Sequence, residues 1–394
     1  MSATHAQDTS LIEALSVLWP HAEVGRGPRH SAAGGLDYLV LPGGRQTAVP
    51  RSPAAVSARA VGHSSAASGP RATALRLGLS GALRLGLGSV ARDRIHVTGS
   101  AAGSLAELLG SLLGEEVRLA VSTGTARVNR KPVVEVFGAD GRTRGFVKLG
   151  LSTVAWDDVR AEAEALRQVA GLVEHGIVVP TLLRYGTWRG MPYLLMTGVP
   201  QARWHRRRDR HRPPVREMRA LTDAFAQPAE APADTGWLDG VRGRLLGLAD
   251  PAWRDTALDC LTALVRATAR RPVPLSAWHG DWTPWNMARS RGRLSLWDWE
   301  RFATGVPAGL DALHHVVNTS DAGTPEAVRR SLRRAEPVWR AVVGRSPDAE
   351  VASGLYLAAM AARYLPLAEG EGGRFIAGRA QVFLAAWWDW SRTR

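Results

Sequence analysis

The sequence predicts an α+β protein of two lobes, the first rich in strands and the second helical. Three observations carry this reading. Between 116 and 198 the apolar pattern runs strand, strand, strand, helix, strand, strand. From there to the end it is helical, except around 279–300. The 394 residues are 45% apolar, enough for two or three packed units.

Residues 1–105 read as an N-terminal extension of unassigned role. DYLVLPGG and RQTAVP are short strands closed by Pro and Gly turns. RSPAAVSARAVGHSSAASGP, 51–70, is small, polar and Ala-rich, and reads as a linking segment. The strand-rich small lobe is expected over 106–197. It opens with the helix SLAELLGSLLG, followed by the strands EEVRLAVSTG, PVVEVFG and GFVKLG, with GADGR as a hairpin turn. The helix STVAWDDVRAEAEALRQVAG comes next, with Ser152 or Thr153 as its N-cap and Gly171 past its end. IVVPTLLRYG and MPYLLMTG supply two further strands, and 198–394 forms the helical lobe.

Composition excludes several classes. The net charge is +14, yet only Lys131 and Lys148 are lysines; the other 48 basic residues are arginine. A single cysteine, Cys260, excludes an intramolecular disulfide framework and a Cys-based zinc site. The start lacks a basic region followed by a long apolar core, so no signal peptide is expected. LRLGLSGALRLGLGSV, 75–90, is interrupted by Arg76 and Arg84 and is too short of apolar residues to span a bilayer. A cytoplasmic location is the default expectation.

Val159, Glu162, Leu166 and Val169 fall three, four and three apart, so they share one helix face, while Glu164 points elsewhere. A carboxylate in an apolar stripe is costly unless paired, and Lys148, ending the preceding strand, is the available partner. The alternative is that Glu162 lies at the stripe's edge and reaches water.

The span HGDWTPWN, 279–286, followed by WDWE, 297–300, concentrates polar chemistry. In LSLWDW strand alternation places Leu294, Leu296 and Asp298 on one side. RSRG, 289–292, makes a turn that brings Asn286 and Asp298 to roughly opposite positions. An amide oxygen beside a carboxylate is a hard oxygen site suited to Mg²⁺. Asp281, five residues before Asn286, is placed to accept a proton from a hydroxyl. A base, two metal ligands and a lysine held by a glutamate form the set that phosphoryl transfer needs.

HGDWTPWN followed by DWE resembles the catalytic segment of the aminoglycoside phosphotransferase and choline kinase superfamily, relatives of protein kinases. The resemblance covers about 116–320, reaches 320–394 only as generic helix and leaves out the first hundred residues. It implies a protein-kinase-like two-lobed fold, a strand-rich small lobe and a helical large lobe, with an N-terminal extension, and an ATP- and Mg²⁺-dependent enzyme that phosphorylates a hydroxyl of a small molecule or natural product. By the same resemblance, Asp281 is the catalytic base and His279 braces the catalytic loop. Asn286 and Asp298 are the Mg²⁺ ligands. Lys148, oriented by Glu162, meets the nucleotide's phosphates. Met196 to Gly198 is the hinge that faces adenine. Asp311 supports the catalytic loop, or simply caps its helix. STGTAR, with Ser122, Thr123 and Gly124, sits where the phosphate-covering loop belongs, although it carries one glycine. Lys131 is the rival for the phosphate lysine.

Five tryptophans between 278 and 299 read as packing, or, at Trp282 or Trp285, as a platform for a flat or sugar-like acceptor. His314 and His315 face different ways on a helix and read as ordinary core and surface residues. RWHRRRDRHRPP, 203–214, reads as a solvated loop or as an attractor of an anion, and it argues against a polycationic acceptor. Two rival functions remain: a non-catalytic nucleotide-binding scaffold in a biosynthetic complex, and a basic nucleic-acid-binding protein, for which no recognition motif stands. ATP turnover separates the first, and salt-dependent binding to nucleic acid the second.

Overall fold

The computed structural model describes residues 3–27, 35–41, 47–63, 70–85, 93–123, 132–200, 212–269, 271–344, 348–370 and 372–393. The chain divides into two compact units, 1–167 with 180–204, and 168–179 with 205–394.

The first unit is built on one large sheet. Its strands are β1 (Ala22–Arg26), β2 (Leu36–Leu41), β3 (Thr47–Pro50), β4 (Arg94–Gly99), β5 (Val117–Ser122), β6 (Val133–Gly138) and β7 (Thr143–Leu149), with β9 (Leu182–Trp188) and β10 (Met191–Met196). Their order across the sheet is β1-β4-β2-β3-β5-β6-β7-β10-β9, and every pairing is antiparallel. The predicted strands of 116–198 are therefore present, and β3 pairs with β5 so that the strands of the first hundred residues continue the same sheet.

Side-chain alternation gives the sheet two apolar faces. On one, Leu119, Val121, Val134, Val136 and Val147 pack with Leu11, Leu15, Leu18 and Trp19 of the N-terminal segment, and with Leu105 and Leu109. On the other, Ala120 and Phe137 meet Val56, Ala58 and Val61. The described residues 51–63 of the segment 51–70 thus depart from the linker reading. Ala54–His63 is a helix whose Val56, Ala58, Ala60 and Val61 are buried. Its small side chains, read as loop composition, allow close helix-on-sheet packing. Leu105–Leu113 is the predicted helix, with the Ser104 hydroxyl accepting from the Glu107 N–H at 3.1 Å and Gly114 left-handed at its end.

IVVPTLLRYG, read as one strand, is two. Ile177–Val178 is β8, and β9 begins at Leu182 beyond Pro180. They belong to different sheets because proline cannot donate to a ladder.

The second unit is mostly helical. It carries two small sheets, β11 (Gln227–Glu230) with β12 (Val273–Trp278) and β15 (Ala303–Pro307), and β8 with β13 (Met287–Ser290) and β14 (Arg293–Leu296). Ala349–Glu369 is long and apolar enough to cross a membrane by length and composition alone; 72% of its qualifying window is buried inside the protein. Val351, Leu355, Tyr356, Leu357 and Met360 place it in the core, and Phe383 and Trp387 of Ala377–Ser391 belong to the same buried set.

Candidate active site

The predicted site residues fall into two groups, one in each unit. In the first unit Lys148 lies on β7, in register between Val133 of β6 and Leu194 of β10. Its neighbours Val147 and Leu149 point to the opposite face, into the apolar core. Lys148 faces the helix Thr153–Gln168 instead, and its Nζ lies 2.6 Å from Glu162 Oε2. Glu162 is fully buried and Lys148 is 8% exposed. Val159 and Leu166 are buried on the same helix face, while Glu164 is exposed and pairs with Arg167 at 3.1 Å. The Ser152 hydroxyl accepts from the Ala155 N–H at 3.3 Å. The α-helix ends at Gln168, and Gly171 lies past its end as expected. A 3-10 turn, Ala170–His175, follows, and the left-handed Gly176 closes it.

Breaking a buried ion pair leaves an uncompensated charge, so Glu162→Gln is expected to lower stability by about 3 kcal/mol and to impair ATP use. Glu164→Gln should shift stability by no more than about 0.5 kcal/mol. Thermal denaturation of both variants, with ATP consumption, checks the contrast. Equal sensitivity at the two positions would contradict it.

The other small-lobe assignments fare unevenly. Ser122 ends β5, and its hydroxyl bonds the Thr47 hydroxyl at 2.8 Å, so it serves the sheet rather than an open loop. Thr123 is buried. Gly124 and the rival Lys131 lie outside the described residues, as do 203–211 of the basic run. Met196 is buried at the end of β10, paired across to Phe146 and Leu182. Gly198 is exposed beyond it, and a Cβ there would meet Phe146 at 2.9 Å. Of the two residues expected to face adenine, Gly198 is exposed and Met196 is buried.

In the second unit β12 delivers the chain to HGDWTPWN. His279 is fully buried; its Nε2–H donates to the Trp297 carbonyl at 3.1 Å, and its Nδ1 accepts from the Asp281 N–H at 3.2 Å. Burial lowers its pKa to about 4, so the ring stays neutral and acts as a brace. Gly280 follows with φ +80°, and a Cβ there would lie 2.3 Å from the Arg301 carbonyl oxygen. Only glycine fits. Gly280→Ala is expected to cost more than about 1 kcal/mol, read as a lowered Tm.

Two further groups hold this loop. Asp311 accepts from the His279 N–H at 2.6 Å and from the Gly280 N–H at 3.1 Å. It sits one residue inside the helix Leu310–Thr319, whose N-cap is Gly309, so it supports the loop and does not cap its own helix. Burial pushes its pKa up to about 7, against the two N–H bonds that favour the ionised form. Arg363, 83 residues away in sequence, donates to the Gly280 carbonyl at 2.7 Å and lies over the Trp278 ring at 5.0 Å.

The Asp281 carboxylate, about a third exposed, projects from the loop so braced. Its Oδ2 accepts from Asn286 Nδ2 at 2.9 Å, and the same Nδ2 donates to the Asp281 carbonyl at 3.0 Å. Its Oδ1 lies 3.1 Å from His314 Nε2. Burial would raise its pKa, but the His314 hydrogen bond outweighs this and holds it below the usual value. Asp281 is therefore ionised, as a general base must be.

The hairpin β13–β14 turns through Arg291 and Gly292, both with positive φ, the geometry of a two-residue hairpin loop. Its register pairs Met287 with Leu296, and the Trp297 N–H donates to the Asn286 carbonyl at 3.0 Å. Asn286 thus lies opposite Trp297, and Asp298 is one step further along, in keeping with the roughly opposite positions expected. Asp298 also leaves the strand, with φ +73° and ψ +57°, and begins the 3-10 turn Trp299–Arg301. Strand alternation therefore does not reach it. Aspartate tolerates this left-handed conformation better than most residues.

These atoms fit a divalent cation. Asn286 commits Nδ2 to Asp281, so only its Oδ1 could serve as a ligand atom. Carboxylate oxygens of Asp298 and Glu300 lie within 4.8 Å of one another. All three are hard oxygen donors of the kind Mg²⁺ takes.

Trp282 and Trp299 are fully buried, so the platform reading fails for Trp282; Trp285 is 43% exposed and remains available. Both histidines of the Leu310–Thr319 helix are buried, against the expectation of one core and one surface residue. His315 Nδ1 lies 3.2 Å from the Trp282 carbonyl. His314, 3.1 Å from Asp281, is the neighbour of that carboxylate that the sequence reading missed. The available signal was its spacing, one helical turn after Asp311.

No family model and no curated protein matches the chain. Solved structures do. The chain is similar to a thermostable mutant of aminoglycoside phosphotransferase APH(4)-Ia, in ternary complex with ADP and hygromycin B, with 12% identity, a TM-score of 0.47, and coverage of 72% of this chain and 98% of that one. Amicoumacin kinase hAmiN, in complex with AMP-PNP, Ca²⁺ and Ami, matches at 11% identity and TM-score 0.43, over 68% and 88%. LicA in complex with AMP matches at 14% identity and TM-score 0.45, over 72% and 97%.

Proposed function

We propose that the chain is an ATP- and Mg²⁺-dependent kinase that phosphorylates a hydroxyl of a small molecule. The observation that supports this best is the Asp281 carboxylate beside Asn286, on a loop held by Asp311, His279 and Arg363. In this reading Asp281 takes the hydroxyl proton as the acceptor oxygen bonds to the γ-phosphorus. The bond from that phosphorus to the bridging oxygen of the β-phosphate breaks, and ADP leaves. Asn286 Oδ1 and Asp298, with Glu300 close by, would hold Mg²⁺, which supplies charge neutralisation on the phosphates. Lys148, oriented by Glu162, is the fixed positive charge of the first unit suited to a phosphate. Little covalent chemistry falls to the protein; positioning and charge carry the rate. The exposed Trp285 is the side chain of the catalytic segment best suited to stack on an acceptor.

The test is a screen of hydroxylated compounds, neutral and anionic, with labelled ATP, reading phosphorylated product for the parent and for Asp281→Asn. Product from the parent alone supports the proposal. Nucleotide binding without turnover across the screen supports the scaffold reading instead.

A further inference from the structure

We propose that His314 is the positioning residue of the base, and that the Tyr356 hydroxyl sets its tautomer. This rests on the reading of Asp281 as general base. Two buried side chains and the part-exposed Asp281 carboxylate form one hydrogen-bonded line behind the loop. Tyr356 Oη lies 3.2 Å from His314 Nδ1, and His314 Nε2 lies 3.1 Å from Asp281 Oδ1. Tyr356 is fully buried and His314 is 1% exposed.

The direction of each bond follows from proton inventory. A carboxylate can only accept, so Nε2 carries the hydrogen that lies between the imidazole and Asp281. Burial lowers the pKa of His314, so the ring is neutral and Nδ1 has a lone pair. Tyr356 then donates to Nδ1. The same burial raises the phenol's pKa well above its ordinary value, which keeps it a donor. The opposite tautomer would leave Nε2 and an ionised Asp281 facing each other with no hydrogen between them.

The consequence is a carboxylate fixed in plane. His314 holds Oδ1 and Asn286 holds Oδ2, each from a different element. Each oxygen keeps a second lone pair for an incoming hydroxyl. The surroundings support the arrangement. The Asn318 amide donates to the His314 carbonyl at 2.8 Å, and Arg379 donates to Asn318 Oδ1 at 2.8 Å. The charged groups that act on His314 are Asp281, Arg363 and Arg379. Asp281 joins this line to the candidate metal ligand Asn286 through Oδ2, while His314 meets the other oxygen, Oδ1.

Two measurements on the full chain test this. Long-range proton–nitrogen NMR of the imidazoles, with His314 assigned by its loss in His314→Gln, reads the tautomer without any need for activity. The expected result at pH 7 is a neutral ring protonated on Nε2, with the Nδ1 signal moved by Tyr356→Phe. A ring protonated on Nδ1 overturns the proposal. Kinetics with ATP and an acceptor from the screen supply the second measurement. His314→Leu removes a hydrogen bond to a charged group, so kcat should fall roughly ten- to a hundredfold with KM for ATP unchanged. His314→Gln, which keeps an N–H near the position of Nε2, should recover most of that loss. Tyr356→Phe should cost about two- to tenfold in the parent and nothing further in His314→Gln. Equal losses in the Leu and Gln variants, or an undiminished Tyr356→Phe effect in the Gln background, would show a packing role only. If the parent transfers no phosphoryl group, the kinase reading fails on its own, and the NMR result still decides the hydrogen-bonded line.

Discussion

Asp281→Asn is expected to cut phosphoryl transfer by about two to four orders of magnitude, the usual reach of general-base removal, while ATP affinity stays near that of the parent. The amide cannot accept the hydroxyl proton. It can turn its oxygen toward His314 Nε2, but its NH₂ then faces Asn286 Nδ2, a second donor now 2.9 Å from Oδ2. The substitution therefore also loosens the Asn286 side chain, and a modest drop in Tm should accompany the loss of turnover. Steady-state rates, an ATP titration and a melting curve separate the two effects. Unchanged turnover in a folded variant would remove Asp281 from the chemistry.

Asp298→Ala is expected to abolish Mg²⁺-dependent ATP binding, and Asn286→Ala to weaken it. The carboxylate brings a charge to a divalent cation that the amide lacks. Asp298→Ala has a second effect, because position 298 is left-handed and alanine pays about 1–2 kcal/mol there. Asp298→Asn is the cleaner variant, since asparagine accepts that backbone and loses only the charge. Both variants should fail to bind Mg·ATP, and only Asp298→Ala should melt earlier for backbone reasons. Titrating ATP with and without Mg²⁺ checks this. Parental affinity in Asp298→Asn would reduce the hairpin end to a structural feature.

Much of the site was legible because its spacings are local. The phase of Thr153–Gln168 follows from four residues on a 3.6-residue period, and the strand before it ends in the chain's second lysine. Together they give the 2.6 Å pair between Lys148 and Glu162. HGDWTPWN keeps the base and the Asn ligand five residues apart, close enough for Asn286 to bond both the side chain and the backbone of Asp281. The turn at 291–292 was equally readable, since Gly after a polar residue between two apolar runs marks a hairpin.

Other features needed distance in sequence to collapse. Asp298 was carried along the strand by alternation, but its left-handed backbone breaks the period one residue early. His314 looked like a core residue because nothing within its own helix reveals a carboxylate 33 positions upstream. Arg363 reaches Gly280 from the helix Ala349–Glu369 across 83 residues.

By itself, then, the sequence determined which residues can do chemistry and which helix face or turn presents them, since periodicity and turn preference act over a few residues. Tertiary structure decided which of those groups touch. It joined β3 to β5, so that the first hundred residues extend the sheet that carries Lys148. It also set Tyr356 and His314 behind Asp281. Both outcomes are non-local: strand pairing depends on which edge a chain meets, and a buried polar group is stable only where a distant partner satisfies it.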